Sequence, residues 1–280
     1  ALRAAVAEPA EAPAPPTVLP LAPAPAPSGP LIPARTPYVD RPLIHQRVQG
    51  AWDQGLRVYL AGAAGVGKSR LAQELAAQRG GWIRLRCEPD DALVPYASAV
   101  RALRALRDAA PDVRLPDWVR RELAQLLPED GPAPVSPDAD AARARLVAAH
   151  AAAFAALVAD NFQVLVFDDW HWADAASLEL WAAADPPAGV GVLMAYRAAQ
   201  LPPAALRRQR GDVDAGRAVQ LTLDGLDDAQ TLALVQALSG STGGVLFSQR
   251  LHRATAGNPF FLLETLRHLQ QQGVLQAHPA

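Results

Sequence analysis

The chain has 280 residues, a net charge of −2 and half of its residues hydrophobic. That length can bury a core as one large domain or two modest ones, and the charge balance argues against bulk attraction to nucleic acid or a membrane surface. The single cysteine, Cys87, excludes an internal disulfide and reads as a buried structural thiol suited to a reducing cytoplasm. By inspection no apolar run approaches bilayer length, and no basic segment leads into an apolar signal core.

Residues 1–36 are rich in Ala and Pro. Proline fixes φ and offers no backbone donor, so this stretch reads as a semi-rigid extended linker without a core. Because it begins on Ala1, it is expected to tether an upstream domain. From Tyr38 the pattern changes to alternating strands and helices. "RVYLAG" (57–62) is a short apolar strand, and "SRLAQELAAQ" (69–78) has helical spacing. "WIRLRC" (82–87) reads as a strand, followed by helices around 96–108, 117–127 and 140–159. "QVLVFDD" (163–169) is a continuous apolar run, as a strand covered on both faces requires. "SLELWAAA" is helical; "GVGVLMAYR" (189–197) and "AVQLTL" (218–223) are strands. This alternation predicts an α/β fold, a three-layer α/β/α arrangement around a mostly parallel sheet spanning 37–225. Residues 226–280 show only helical spacing and are assigned to a small helical subdomain.

Of 26 basic side chains, all but Lys68 are arginine. Lys68 lies in "GAAGVGKSR", which fits G-x-x-x-x-G-K-[ST] between a predicted strand and helix. Glycines let the backbone N–H groups of Gly62, Ala63, Ala64, Gly65, Val66 and Gly67, continuing through Lys68, Ser69 and Arg70, wrap a phosphate at a helix N-terminus. A compact ammonium fits inside such a ring where a planar guanidinium does not, which explains the lone lysine. Ser69 would ligate Mg²⁺. The alternative is a glycine-rich turn that happens to precede a helix.

Asp168 and Asp169 fall at the carboxyl end of a buried strand, the rim where open α/β sheets bind ligands. Two adjacent carboxylates after an apolar run call for a cation, so Asp168 is assigned to the Mg²⁺ shell. Asp169 is either the general base for an attacking water or a turn residue. Trp170, His171 and Trp172 read as packing and loop-shaping residues, and Asp174 as a helix N-cap. Arg197, ending the next strand, either reaches the γ-phosphate or makes a surface ion pair.

On these motifs the sequence resembles STAND-class NTPases of the AAA-related type found in large bacterial transcriptional regulators, SARP-type or LuxR-type. The likeness runs from Tyr38 to about Leu275 and includes "YVDRPLIHQRV", "VLVFDDWHWADAASLELW" and "ATAGNPFFLLETLRHLQQQGVL". The resemblance implies ATP as the nucleotide, with Val39 and Arg41 near the adenine and Pro259 approaching the base from the helical subdomain. Asp40 and Pro42 depart from the family's usual Gly and Glu. Read locally, Asn258 is an N-cap with Pro259 at the first helical position, which is sufficient reason for both.

The implied function is an ATP-hydrolysing signalling switch with slow basal turnover, joined to an upstream output domain and a downstream sensor domain. No stretch reads as a basic recognition helix, so no direct nucleic-acid contact is expected; no membrane contact is expected either, and self-association would depend on nucleotide. The competing readings are a mechanical AAA+ ATPase, a regulatory module of a nucleotide cyclase and a small-molecule kinase. Arg207, Arg208 and Arg210 could be mistaken for a trans-acting finger but read as a solvated basic face.

Overall fold

The computed structural model describes residues 36–240 and 244–274. The predicted linker, except Thr36, and the last residues assigned to the helical subdomain lie outside the described residues.

Five strands form one sheet: β1 (Arg57–Gly62), β2 (Trp82–Arg86), β3 (Val164–Asp168), β4 (Gly191–Tyr196) and β5 (Ala218–Leu223). Their order is β2-β3-β4-β1-β5, and every neighbouring pair is parallel. The side-chain period of two divides each strand between two cores. Tyr59, Leu165, Phe167 and Met194 face α3 (Ala97–Ala109), α4 (Asp117–Leu123), α5 (Ala139–Val158), α6 (Ala175–Ala183) and α7 (Pro203–Asp214). Val58, Leu60, Val166 and Leu193 face α1 (Pro42–Asp53) and α2 (Lys68–Arg79). β3 and β4 are buried at every position, so their unbroken apolar runs follow from layers on both faces. The fold is a three-layer α/β/α sandwich.

Beyond β5, α8 (Asp228–Ser239), α9 (Val245–Thr255) and α10 (Pro259–Gln271) share a small core of Leu226, Leu234, Val235, Leu251, Leu262 and Leu266. Asp227 caps α8 in a reciprocal box with Gln230, and Asn258 caps α10 with Pro259 at its first position.

Several expectations need correction. The predicted helix 117–127 stops at Leu123 and gives way to a turn over 124–126; Leu127, restricted by the following Pro128, is out of helical backbone at φ −123°. Asp169 leaves the strand instead of ending it, turning to φ 55°. α1 and α7 were not anticipated. α1 does carry an apolar stripe through Ile44, Val48 and Trp52; the Trp52 indole donates to the Val192 carbonyl at 3.1 Å. α7 faces inward with Ala205, Gln209 and Asp212, so it has no apolar stripe to read. One helix also meets the length and hydropathy of a membrane span: Ala139–Asn161, 23 residues with mean hydropathy 1.4. Alanine supplies much of that value, and the helix packs on α3, α4 and α6 as a core element.

Candidate functional site

Gly62 ends β1 against β5: a Cβ there would stand 2.8 Å from the Leu223 carbonyl oxygen and 2.9 Å from Val66 Cγ1. The chain then turns through Gly65 and Gly67, both left-handed at φ +74° and +99°, before α2 opens at Lys68. Lys68 is 8% exposed, and its Nζ donates to the carbonyls of Gly62 and Ala63 at 3.0 and 2.9 Å. Burial, joined by the Arg197 charge, lowers its pKa against the pull of Asp169 and Asp168.

Ser69, on the first turn of α2, donates its hydroxyl to Asp168 Oδ1 at 2.8 Å across 99 positions of sequence. β4 separates β1 from β3 in the sheet, so the phosphate-loop motif and the acidic strand end converge over the end of β4. Arg197 leaves β4 there and lines the same cavity as Lys68 and Asp169. Its Nη1 donates a long hydrogen bond, 3.4 Å, to Gln200 Oε1. Asp168 is buried at 4% exposure, and its Oδ1 also accepts from the Asp169 amide at 3.1 Å.

The cavity measures about 450 Å³, within the size of small-molecule sites. Residues 64–70 and Arg197 form its polar end. Val39, Leu226, Leu234, Pro259 and Leu263 add apolar lining between the sheet and the helical subdomain. Arg41 lines it too, while its Nη1 donates to the carbonyls of Asp224 and Gly225 at 3.0 and 3.2 Å. Gly62, Ala63 and Asp168 stand behind this lining, reached through Lys68 and Ser69.

Sequence reasoning missed Tyr38, which lines the cavity under the Arg70 guanidinium at 5.9 Å. Its hydroxyl hydrogen-bonds His45 at 2.8 Å, and burial with nearby Asp40 pushes its pKa up to about 12. It also missed Arg84 and Arg86, which share one face of β2. Arg84 lies 4.0 Å from Asp168 Oδ2 and Arg86 lies 3.8 Å from Asp169 Oδ2. Alternate positions on a strand share a face, so "RLR" beside an acidic strand was the available signal.

The packing residues behave as expected. Trp170 is buried edge-on to Phe167, with ring centroids 5.2 Å apart. His171 is 1% exposed, neither ring nitrogen has a protein partner, and burial holds its pKa near 4. Asp174 caps α6 through the Ser177 amide and also accepts from Tyr96 N, Ser98 N and Ser98 Oγ. Burial raises its pKa, but those donors outweigh burial and the net shift is downward. The expected solvated basic face holds for Arg207 and Arg210 only; Arg208 folds in toward Asp212 at 3.8 Å.

Among the described residues no three His, Cys, Asp or Glu side chains cluster to hold a metal alone. Ser69 and Asp168 offer two oxygen donors, which fits a hard cation completed by phosphate and water oxygens.

A parallel sheet with this strand order, a lysine wrapped by a glycine loop and an acidic strand end one strand beyond its neighbour define a P-loop nucleoside triphosphatase fold. The profile of the AAA ATPase domain family matches residues 43–194, more than half of the chain, and the protein belongs to that family. Among solved structures, the fold is similar to a Walker-type ATPase of Pyrococcus abyssi at 11% identity and TM-score 0.53, covering 87% of this chain and 72% of that one. It is also similar to the ORC2 protein of Aeropyrum pernix, solved as ADPNP–ADP complexes, at 14% identity and TM-score 0.51, covering 89% and 68%. A STAND protein with a tetratricopeptide repeat sensor from Pyrococcus horikoshii aligns at 15% identity and TM-score 0.48. That alignment covers 82% of this chain, which spans 30% of that protein's chain. No curated protein sequence matches.

Proposed function

We propose that this AAA ATPase domain binds Mg-ATP in the cavity between sheet and helical subdomain, hydrolyses it slowly, and acts as a signalling switch. The observation that carries the reading is the 2.8 Å hydrogen bond from Ser69 to Asp168, which joins the two sequence motifs at one rim of the sheet. Lys68 and the amides of residues 64–70 hold the β- and γ-phosphates, with Gly62 and Ala63 behind them shaping the loop. Ser69 and Asp168 hold Mg²⁺, which when bound neutralises charge on the triphosphate. Asp169, turned out of the strand onto the cavity wall, takes the proton of the attacking water. Arg197, at the end of β4, meets the γ-phosphate. Val39, Arg41 and Pro259 line the end assigned to the base.

The division into a linker at 1–36, a P-loop core at 37–225 and a helical subdomain at 226–280 belongs to the same proposal. So does the setting: a cytoplasmic, multidomain bacterial regulator, with an upstream DNA-binding output domain and a downstream sensor. In it this piece makes no nucleic-acid contact and self-associates only with nucleotide. ATP contacts on both walls of the cavity would hold the halves together, so their relative placement changes with the nucleotide.

Asp169→Asn is the test. It is expected to leave Mg-ATP affinity within about twofold while steady-state turnover falls by roughly 10²–10⁴-fold. Turnover equal to wild type would remove Asp169 from the chemistry.

A further inference from the structure

The helical subdomain touches the phosphate loop through backbone as well as apolar side chains. Asn258 Nδ2 donates to the Ala64 carbonyl at 2.9 Å, and the Phe260 amide donates to the Gly65 carbonyl at 3.2 Å. The same Asn258 side chain caps α10, its Oδ1 accepting from Phe260 N at 3.1 Å. The approach leaves no slack: a Cβ on Gly65 would stand 2.5 Å from Phe260 Cβ and 3.0 Å from Asn258 Oδ1. Behind it, Leu226 N donates to the Gly257 carbonyl at 2.7 Å. Cβ atoms on Gly225 and Gly257 would meet backbone oxygens at 2.4 and 1.9 Å. The start of α10 is thereby seated backbone against backbone on the segment that follows β5.

We propose that Asn258 is a positioning residue for the phosphate loop, fixing through the Ala64 carbonyl the direction in which the loop's amides point. A trans peptide is planar, with its C=O and N–H directed oppositely, and no cis bond occurs among the described residues. Holding the Ala64 carbonyl against α10 therefore turns the Gly65 N–H away from it, and holding the Gly65 carbonyl does the same for the Val66 N–H. A loop that cradles an anion needs this sense, with amides toward the ligand and carbonyls outward. Gly65 adopts positive φ and has no side chain to resist a peptide flip, so the restraint must come from outside the loop. α10 supplies it. By linkage, whatever orders those amides favours the seated position of α10 by the same free energy.

This inference rests on the nucleotide reading above, and the experiment separates the two. Asn258→Ser keeps a capping oxygen of comparable quality but has no amide to reach Ala64. Its melting temperature without ligand should fall by only a few degrees, the share of one hydrogen bond. Its affinity for Mg-ATP and for Mg-tripolyphosphate should fall alike, by about fivefold for one hydrogen bond, with the loss in turnover appearing in KM. Undiminished tripolyphosphate affinity, or a loss confined to ATP, overturns the proposal by placing the effect at the base end. Wild-type protein that binds neither probe removes the nucleotide reading and this proposal with it. Should the serine variant unfold, Asn258→Thr, another cap whose shorter side chain lacks the amide, carries the same comparison.

Discussion

The two walls of the cavity are held together by different means. The sheet wall is sandwiched between two extensive apolar layers, so its strand ends are fixed by burial on both faces. The helical wall has one small leucine-rich core, and polar and backbone hydrogen bonds attach it to the sheet wall: Gln230 to the Asp40 carbonyl, Asn258 to the Ala64 carbonyl and the Phe260 amide to the Gly65 carbonyl. Close packing makes the first wall stiff, whereas a small core with a hydrogen-bonded seat opens at lower cost. A site between a stiff wall and a less firmly held one suits a ligand that must change the distance between them.

Truncating each core sharpens that contrast. Leu103→Ala, a fully buried position on α3, should destabilise the whole domain by about 2–5 kcal/mol, seen as a lower urea midpoint by every probe. Leu262→Ala, equally buried on α10, should raise amide exchange in α8, α9 and α10 while β1, β3 and β4 keep their protection. Uniform loss of protection in the second variant would show a single cooperative unit and break the distinction.

A smaller effect lies within the sheet wall. His150 is fully buried on α5, stacked with Phe154 and edge-on to Trp181, with no protein partner for either ring nitrogen. Burial lowers its pKa to about 4 from 6.5. Between those values the unfolded chain binds a proton that the folded imidazole refuses, so stability falls as pH drops from 6.5 to 4. The loss reaches roughly 3 kcal/mol at the acid end. His150→Phe should roughly halve the slope measured in denaturant titrations at pH 4–7, leaving the comparable part due to His171, whose pKa is also lowered to about 4. An unchanged slope would mean the ring is not held neutral.

Most of the sheet wall was legible in the sequence because apolar runs and the glycine loop carry local signatures. β1, β3, β4 and β5 and the helix opening at Lys68 fall where spacing put them, within a residue or two. α7 left no such trace because its inward face carries Gln209, which donates to the Tyr196 hydroxyl, and Asp212, which accepts from Tyr59, Arg57 and Arg217. The Arg86–Asp169 approach depends on β2 pairing with β3 in register, Arg86 opposite Asp168, a long-range fact with no periodic signal. Asn258 was readable as a cap. Its second hydrogen bond, to Ala64, appears only once two segments 194 residues apart meet.

The central claim is that the amine at Lys68 and the Ser69–Asp168 pair hold one Mg-bound triphosphate. Calorimetric titration of Mg-ATP into wild type and Lys68→Ala measures it directly. The expected result is a saturable single-site isotherm for wild type and no binding heat for the folded variant. A wild-type trace that stays flat, or a Lys68→Ala trace that matches wild type, would contradict it.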